Sequence, residues 1–136
     1  MHTVCLQMTG VYIEPIFYTK ITNKNGKILI NKKQLRRKVV SNSSAYIIKT
    51  LLTQPVKGSH GTATNCSISG MDVAAKTGTT DDDYDRWLCG FTNYYTAVTW
   101  YGFDLNENID YTTNKNPASV LWSSVMNSIH KGLLRK

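Results

Sequence analysis

The sequence predicts an α+β fold: an antiparallel sheet over 73–103 packed against a terminal helix over 117–133, preceded by a hairpin over 17–30 and a helix over 43–53. Three observations carry this. Three β-branched and aromatic runs follow one another with brief polar links, the pattern of a meander. Asn25-Gly26 separates two strand-like runs and signals a hairpin with a type I′ turn. Apolar residues recur at helical spacing from Ala118 onward.

Val11–Ile21 is rich in β-branched and aromatic residues, and Lys27–Ile30 supplies the partner strand across Asn25-Gly26. Ser41 to Ser44 offer N-caps to a helix of about three turns. Its apolar positions are Tyr46, Ile47, Leu51 and Leu52, and Pro55 ends it. Val56 to Gly70 reads as a loop, since KGSHGTATNCSISG is full of turn formers and has no period.

Val73–Thr79, Trp87–Thr92 and Thr96–Phe103 are the meander strands, linked by the polar turn Thr80–Asp85 and by Asn93-Tyr94-Tyr95. A polar loop runs from Asp104 to Asn116. Asn116 caps the last helix and Pro117 suits its first position, where the missing N–H costs nothing. Ala118, Leu121, Trp122, Val125, Met126, Ile129 and Leu133 form one wide apolar stripe, expected to pack across the meander as core rather than serve as a cofactor or partner groove.

The chain's 136 residues suffice for one domain with a core, and 41% apolar against 18% charged residues excludes disorder. No apolar run reaches membrane-span length, and the N-terminus lacks a basic head followed by an apolar stretch. Cys5, Cys66 and Cys89 are odd in number and form no ligand spacing with His2, His60 or His130, so they read as free, partly buried thiols; no metal or other cofactor is expected. The +7 charge is uneven: Lys20 to Lys49 holds nine basic and no acidic residues, whereas Asp72 to Asp110 holds eight acidic residues against Lys76 and Arg86. Without aromatic interleaving or a recognisable motif, the basic stretch reads as a solvated face rather than a nucleic-acid site.

Candidate chemistry lies at Lys76-Thr77-Gly78-Thr79, late in a predicted strand. Alternation puts Thr77 and Thr79 on one face, where two hydroxyls can bind one carboxylate. Gly78 lets a substrate backbone come close, an edge strand there could pair with an extended peptide, and Lys76 supplies positive charge.

The order KTGTT, D-x-W-x-x-G-F-T, then Y-T-A-V-x-W-x-G-x-D resembles the transpeptidase domain of the bifunctional class A penicillin-binding proteins. The matching residues run from Lys76, Thr77, Gly78 and Thr79 through Asp85, Trp87, Gly90, Phe91 and Thr92 to Tyr95, Thr96, Ala97, Val98, Trp100, Gly102 and Asp104. Leu6-Gln7-Met8 and Gly10-Val11-Tyr12-Ile13-Glu14-Pro15 resemble the family upstream, as does the order hairpin, helix, Gly-Thr loop. The resemblance implies part of the penicillin-binding-protein/serine β-lactamase-like fold. It implies a serine of S-x-x-K that attacks the D-Ala-D-Ala end of a peptidoglycan stem peptide, or a β-lactam that mimics it, and an S-x-N motif that helps move protons. By the same implication Lys76 is the catalytic electrostatic anchor. Thr77, Gly78 and Thr79 bind substrate, and the Thr79 N–H is an oxyanion donor.

The nucleophile itself is not found. No S-x-x-K precedes Lys76 and no S-x-N occurs anywhere. Ser128-Ile129-His130-Lys131 matches S-x-x-K literally but follows KTG and falls on the terminal helix. Only Thr9 and Gly10 stand where the family has roughly ten more residues completing a helix and a turn, and Asn93 stands where it usually has proline. The expectation is therefore the C-terminal portion of a transpeptidase domain over 1–136, inactive alone, completed by the missing N-terminal part or a self-associating copy. The family works on the extracytoplasmic face of a bacterial membrane; made as it stands, without an export signal, the chain is expected in the cytoplasm. Two rival readings are a non-catalytic peptide-binding or dimerisation module of the same descent, and a basic protein engaging an anionic polymer through Lys20–Lys49.

Overall fold

The computed structural model describes residues 2–7, 9–105, 107–109 and 115–134. Short α1 (His2–Gln7) leads into β1 (Val11–Ile13), β2 (Lys20–Thr22), β3 (Ile28–Asn31) and β4 (Arg36–Lys38). Then come α2 (Asn42–Leu51), α3 (Gln54–Lys57), a 3-10 turn at Thr64–Cys66, β5 (Ala74–Thr79), a second at Asp81–Asp83, β6 (Asp85–Phe91), β7 (Thr96–Gly102) and α4 (Pro117–Ile129). The three strands β5-β6-β7 form one antiparallel sheet, while β1-β4 and β2-β3 are separate two-stranded ribbons.

The hairpin is shorter than 17–30: it pairs Lys20 with Asn31 and Ile21 with Ile30, and Phe17 lies outside it, 98% exposed. Its turn is not type I′, which needs positive φ at both central residues. Only Gly26 has it (φ 79), beyond an Asn23–Gly26 turn in which the Gly26 N–H donates to the Asn23 carbonyl. The Asn23 side chain accepts from the N–H groups of Asn25 and Lys27, which removes the need for a left-handed Asn25. The β1-β4 ribbon was not anticipated. Its second strand is Arg36-Arg37-Lys38, a run with little strand propensity of its own that pairs antiparallel with Val11–Ile13.

The expected helix 43–53 becomes two. Ser41 caps α2 through its hydroxyl, which accepts from the Ser44 N–H at 3.0 Å. The chain turns at Leu52, and Pro55 then sits in the first turn of α3 instead of terminating the run. Only Ala45 of α2 is buried, whereas Tyr46, Ile47 and Leu51 are exposed.

Loop 56–70 is also more than a loop. Val56, Ala63, Cys66 and Ile68 enter the core with Val73, Ala75, Leu88, Ala118, Trp122 and Met126. Its buried backbone groups are paired locally: Ala63 N–H donates to the Pro55 carbonyl and Cys66 N–H to that of Ala63. Burial pushes the Cys66 thiol up to about 11.

α4 packs on the sheet, as the wide stripe suggested, but it buries a narrower arc. Ala118, Ser119, Trp122 and Met126 face inward; Leu121, Val125 and Ile129 are about half exposed. The helix ends at Ile129, with His130 as C-cap and Gly132 left-handed (φ 81), so Leu133 lies beyond it. Asn116 caps the start by accepting from the Ala118 N–H. Trp122 Nε1 donates to the Ala97 carbonyl and Thr99 Oγ1 to that of Ala118, tying helix to β7. Of the polar loop 104–116, residues 106 and 110–114 lie outside the described residues, as does Met8 of Leu6-Gln7-Met8. Among the described residues no helix is long and apolar enough to cross a membrane.

Candidate functional site

β5 is an outer strand, paired on one side with β6. On its other edge the Ala75 N–H donates to the Leu52 carbonyl at 2.9 Å. In an antiparallel strand alternate residues direct their N–H groups to the same edge, so those of Thr77 and Thr79 also point outward. They meet no strand there among the described residues.

The two faces of β5 differ. Ala75 is buried in the core and Thr77 and Thr79 continue its face toward solvent. Lys76 and Gly78 lie on the opposite face, in register with Cys89 and Trp87 of β6 and, one strand further, Val98 and Trp100 of β7. That face is open: Trp87, Val98 and Trp100 are all exposed. The alternation places Thr77 and Thr79 on one side and Lys76 on the other, all reachable from the free edge.

The Lys76 amine donates to the Thr77 carbonyl at 2.9 Å. The Thr77 hydroxyl is hydrogen-bonded to that of Thr62, also at 2.9 Å. Beside this edge lies a cavity of about 460 Å³, lined among others by Pro55, Gly58, His60, Gly61, Thr62 and Lys76. Ser128 does not line it, and its hydroxyl donates to the Ser124 carbonyl one turn back on α4. The structure thus brings Lys76 and the Gly58–Thr62 loop together and leaves Ser128 elsewhere. The sequence carried a signal for that loop only as two glycines before a threonine, and Thr62 was not singled out.

The residues behind the edge hold it in place. A Cβ on Gly78 would lie 3.2 Å from the Trp87 Cβ, so glycine lets Trp87 lean over the strand. Trp87 and Trp100 stack at 6.2 Å with a 45° tilt. Asp85 takes the Trp100 indole N–H on Oδ1 at 2.7 Å and the Thr80 hydroxyl on Oδ2 at 3.1 Å, closing the β5–β6 turn. Within that turn Asp82 and Asp83 are left-handed (φ 57 and 59), a conformation short polar side chains tolerate, and Asp83 forms an ion pair with buried Arg86. A Cβ on Gly90 would meet the Trp122 ring at 2.9 Å and the Ala75 Cβ at 3.0 Å, so glycine is what lets α4 reach the sheet.

The chain belongs to the penicillin-binding protein transpeptidase domain family, whose pattern matches residues 6–121. It is 37% identical over 127 residues to penicillin-binding protein 1A of Clostridium acetobutylicum, covering 93% of this chain and 15% of that protein. The chain therefore spans a small part of the length of the relatives it matches. Among solved structures, penicillin-binding protein 1A of Haemophilus influenzae superposes with a TM-score of 0.73 at 19% identity, covering 98% of this chain and 26% of that one. Penicillin-binding protein A of M. tuberculosis, solved as an imipenem acyl-enzyme, superposes with a TM-score of 0.64 at 16% identity over 93% of this chain and 29% of that one. These two likenesses establish the shared fold.

Proposed function

We propose that this chain supplies the substrate-holding wall of a D-Ala-D-Ala transpeptidase site whose nucleophile lies outside these 136 residues. The observation that carries the reading is the outer edge of β5, where the outward N–H groups of Thr77 and Thr79 meet no strand among the described residues, beside Lys76 and an open cavity. An extended peptide can add to such an edge through main-chain hydrogen bonds. Its terminal carboxylate would take the Thr77 and Thr79 hydroxyls, Gly78 would give it room, and Lys76 would contribute charge. S-x-x-K is absent before Lys76 and S-x-N is absent throughout these 136 residues, so the serine that would be acylated is not among them.

The natural complement is the nucleophile-bearing part of a transpeptidase domain, or a second copy of this chain. Exposed apolar side chains mark where it would sit: Trp87, Val98 and Trp100 on the open sheet face, and Leu121, Val125 and Ile129 on α4. Peptidoglycan stem peptide and β-lactams are then the substrates of the completed site, which by family would work on the extracytoplasmic face of a bacterial membrane. A non-catalytic peptide-binding or dimerisation module is favoured by the same open edge, since binding there needs no nucleophile.

The test is incubation with a fluorescent penicillin, followed by a titration with an acetylated peptide ending in D-Ala-D-Ala. The expected result is no covalent adduct, with peptide binding that Lys76→Ala and Thr79→Val abolish. A covalent adduct would overturn the missing-nucleophile reading, and peptide binding indifferent to both substitutions would overturn the assignment of the edge.

A further inference from the structure

The cavity wall opposite Lys76 is built with little freedom. A Cβ on Gly61 would fall 2.3 Å from the Pro55 carbonyl oxygen and 2.8 Å from its carbon, so the backbone can pass there only as glycine. On the other side of Thr62, Ala63 is fully buried and its N–H donates to that same carbonyl at 2.9 Å. Gly61 N–H is tied in turn to the Gly58 carbonyl at 2.9 Å. Thr62 is exposed, yet its backbone is held on both sides, and its branched Cβ restricts χ1. The hydroxyl so fixed is hydrogen-bonded at 2.9 Å to the Thr77 hydroxyl, fifteen residues away in sequence.

We propose that Thr62 is a positioning residue of the β5 edge: it orients the Thr77 hydroxyl toward an incoming carboxylate. This rests on the reading of that edge as carboxylate-binding. A hydroxyl has one proton and accepts through its oxygen. In this structure the Thr77 hydroxyl donates to the Thr62 oxygen; rotation of both hydroxyls reverses the bond, so that Thr62 donates to Thr77 and the Thr77 proton is left for the substrate carboxylate. The two hydroxyls then form a chain in which each bond strengthens the next. Without Thr62 the Thr77 side chain, half-exposed at a strand edge, loses its partner and explores other rotamers.

Two substitutions separate this from a structural role. Thr62→Val keeps the shape and removes the hydroxyl; Thr62→Ser keeps the hydroxyl. Three-bond couplings report the Thr77 χ1, and a titration with an acetylated D-Ala-D-Ala peptide, against its C-terminal amide, reports carboxylate recognition. The expected result is a single Thr77 rotamer in the parent chain and in Thr62→Ser, rotamer averaging in Thr62→Val, and about tenfold weaker binding of the acid peptide only in Thr62→Val. An averaged Thr77 in the parent, or unchanged affinity in Thr62→Val, overturns the proposal. A parent chain that binds acid and amide peptides equally overturns instead the carboxylate reading beneath it.

Discussion

The Thr92 hydroxyl lies 2.8 Å from Nε2 of His130, thirty-eight residues on, and both side chains are buried. Their roles are set by their other partners. The Thr92 oxygen accepts from the N–H groups of Tyr94 and Tyr95, leaving its proton for His130. Nδ1 of His130 faces the Met126 carbonyl at 2.7 Å, which can only accept, so the imidazole proton is on Nδ1. The ring also meets Tyr95 edge-on at 5.3 Å. This knot joins the β6–β7 link to the end of α4. Removing the hydroxyl with Thr92→Val takes a partner from the buried His130 ring and from two part-buried N–H groups, and is expected to lower stability by about 2–3 kcal/mol, against under about 1 kcal/mol for Thr92→Ser. Urea unfolding followed by tryptophan fluorescence measures both.

Gly90 is the closest approach of α4 to the sheet. Gly90→Ala puts a methyl group 2.9 Å from the Trp122 ring and is expected to cost about 1–3 kcal/mol by overpacking. Gly26→Ala meets no atom within 4 Å and is destabilised only through its left-handed φ, by about 1 kcal/mol. Paired thermal melts rank the two.

Cys66 makes stability fall at alkaline pH. Its folded pKa of about 11 lies above the ordinary 9.0 because burial disfavours the thiolate. Between those values the unfolded chain releases a proton that the folded chain keeps. The contribution is therefore full below pH 9 and is lost as pH rises toward about 11. Relative to Cys66→Ala, the parent chain should lose about 1–2 kcal/mol across that window. Urea midpoints at stepped pH for both chains measure the difference, which cancels the titration of lysines and tyrosines common to both.

The outward row on α4 should drive association. Leu121, Val125 and Ile129 are 51%, 46% and 44% exposed along one side of the helix. Size-exclusion chromatography with light scattering is expected to give a mass above the 15.3 kDa of one chain, and Leu121→Glu with Val125→Glu to bring it down to one chain. A strictly monomeric parent chain would count against an uncovered face.

The meander and the strands flanking KTG were legible because β-strand alternation and the D-x-W-x-x-G pattern are local signals. Asn116-Pro117 marked the start of α4 for the same reason. What was not legible is non-local. Arg36-Arg37-Lys38 becomes a strand only because Val11–Ile13 lies alongside. The segment from Val56 to Gly70 looked like surface because its small residues and glycines suit turns; most of it is surface, but Val56, Ala63, Cys66 and Ile68 pack into the core with residues of β5, β6 and α4. The stripe on α4 was too wide for one sheet to cover, and periodicity alone could not say which part would be left out. Lys76, Thr77, Gly78 and Thr79 were singled out from their motif. Thr62 was not, because the contact that makes it interesting spans fifteen residues and depends on the fold.

The bond from the Ala75 N–H to the Leu52 carbonyl gives the free edge of β5 a closed end. A strand laid antiparallel along Thr79 and Thr77 runs into Leu52 and can go no further. If the edge binds peptide as proposed, it is a cul-de-sac rather than a through road, open to a carboxyl terminus and closed to the middle of a chain. On the proposed reading of this edge, a preference for chain ends would come from a single backbone hydrogen bond.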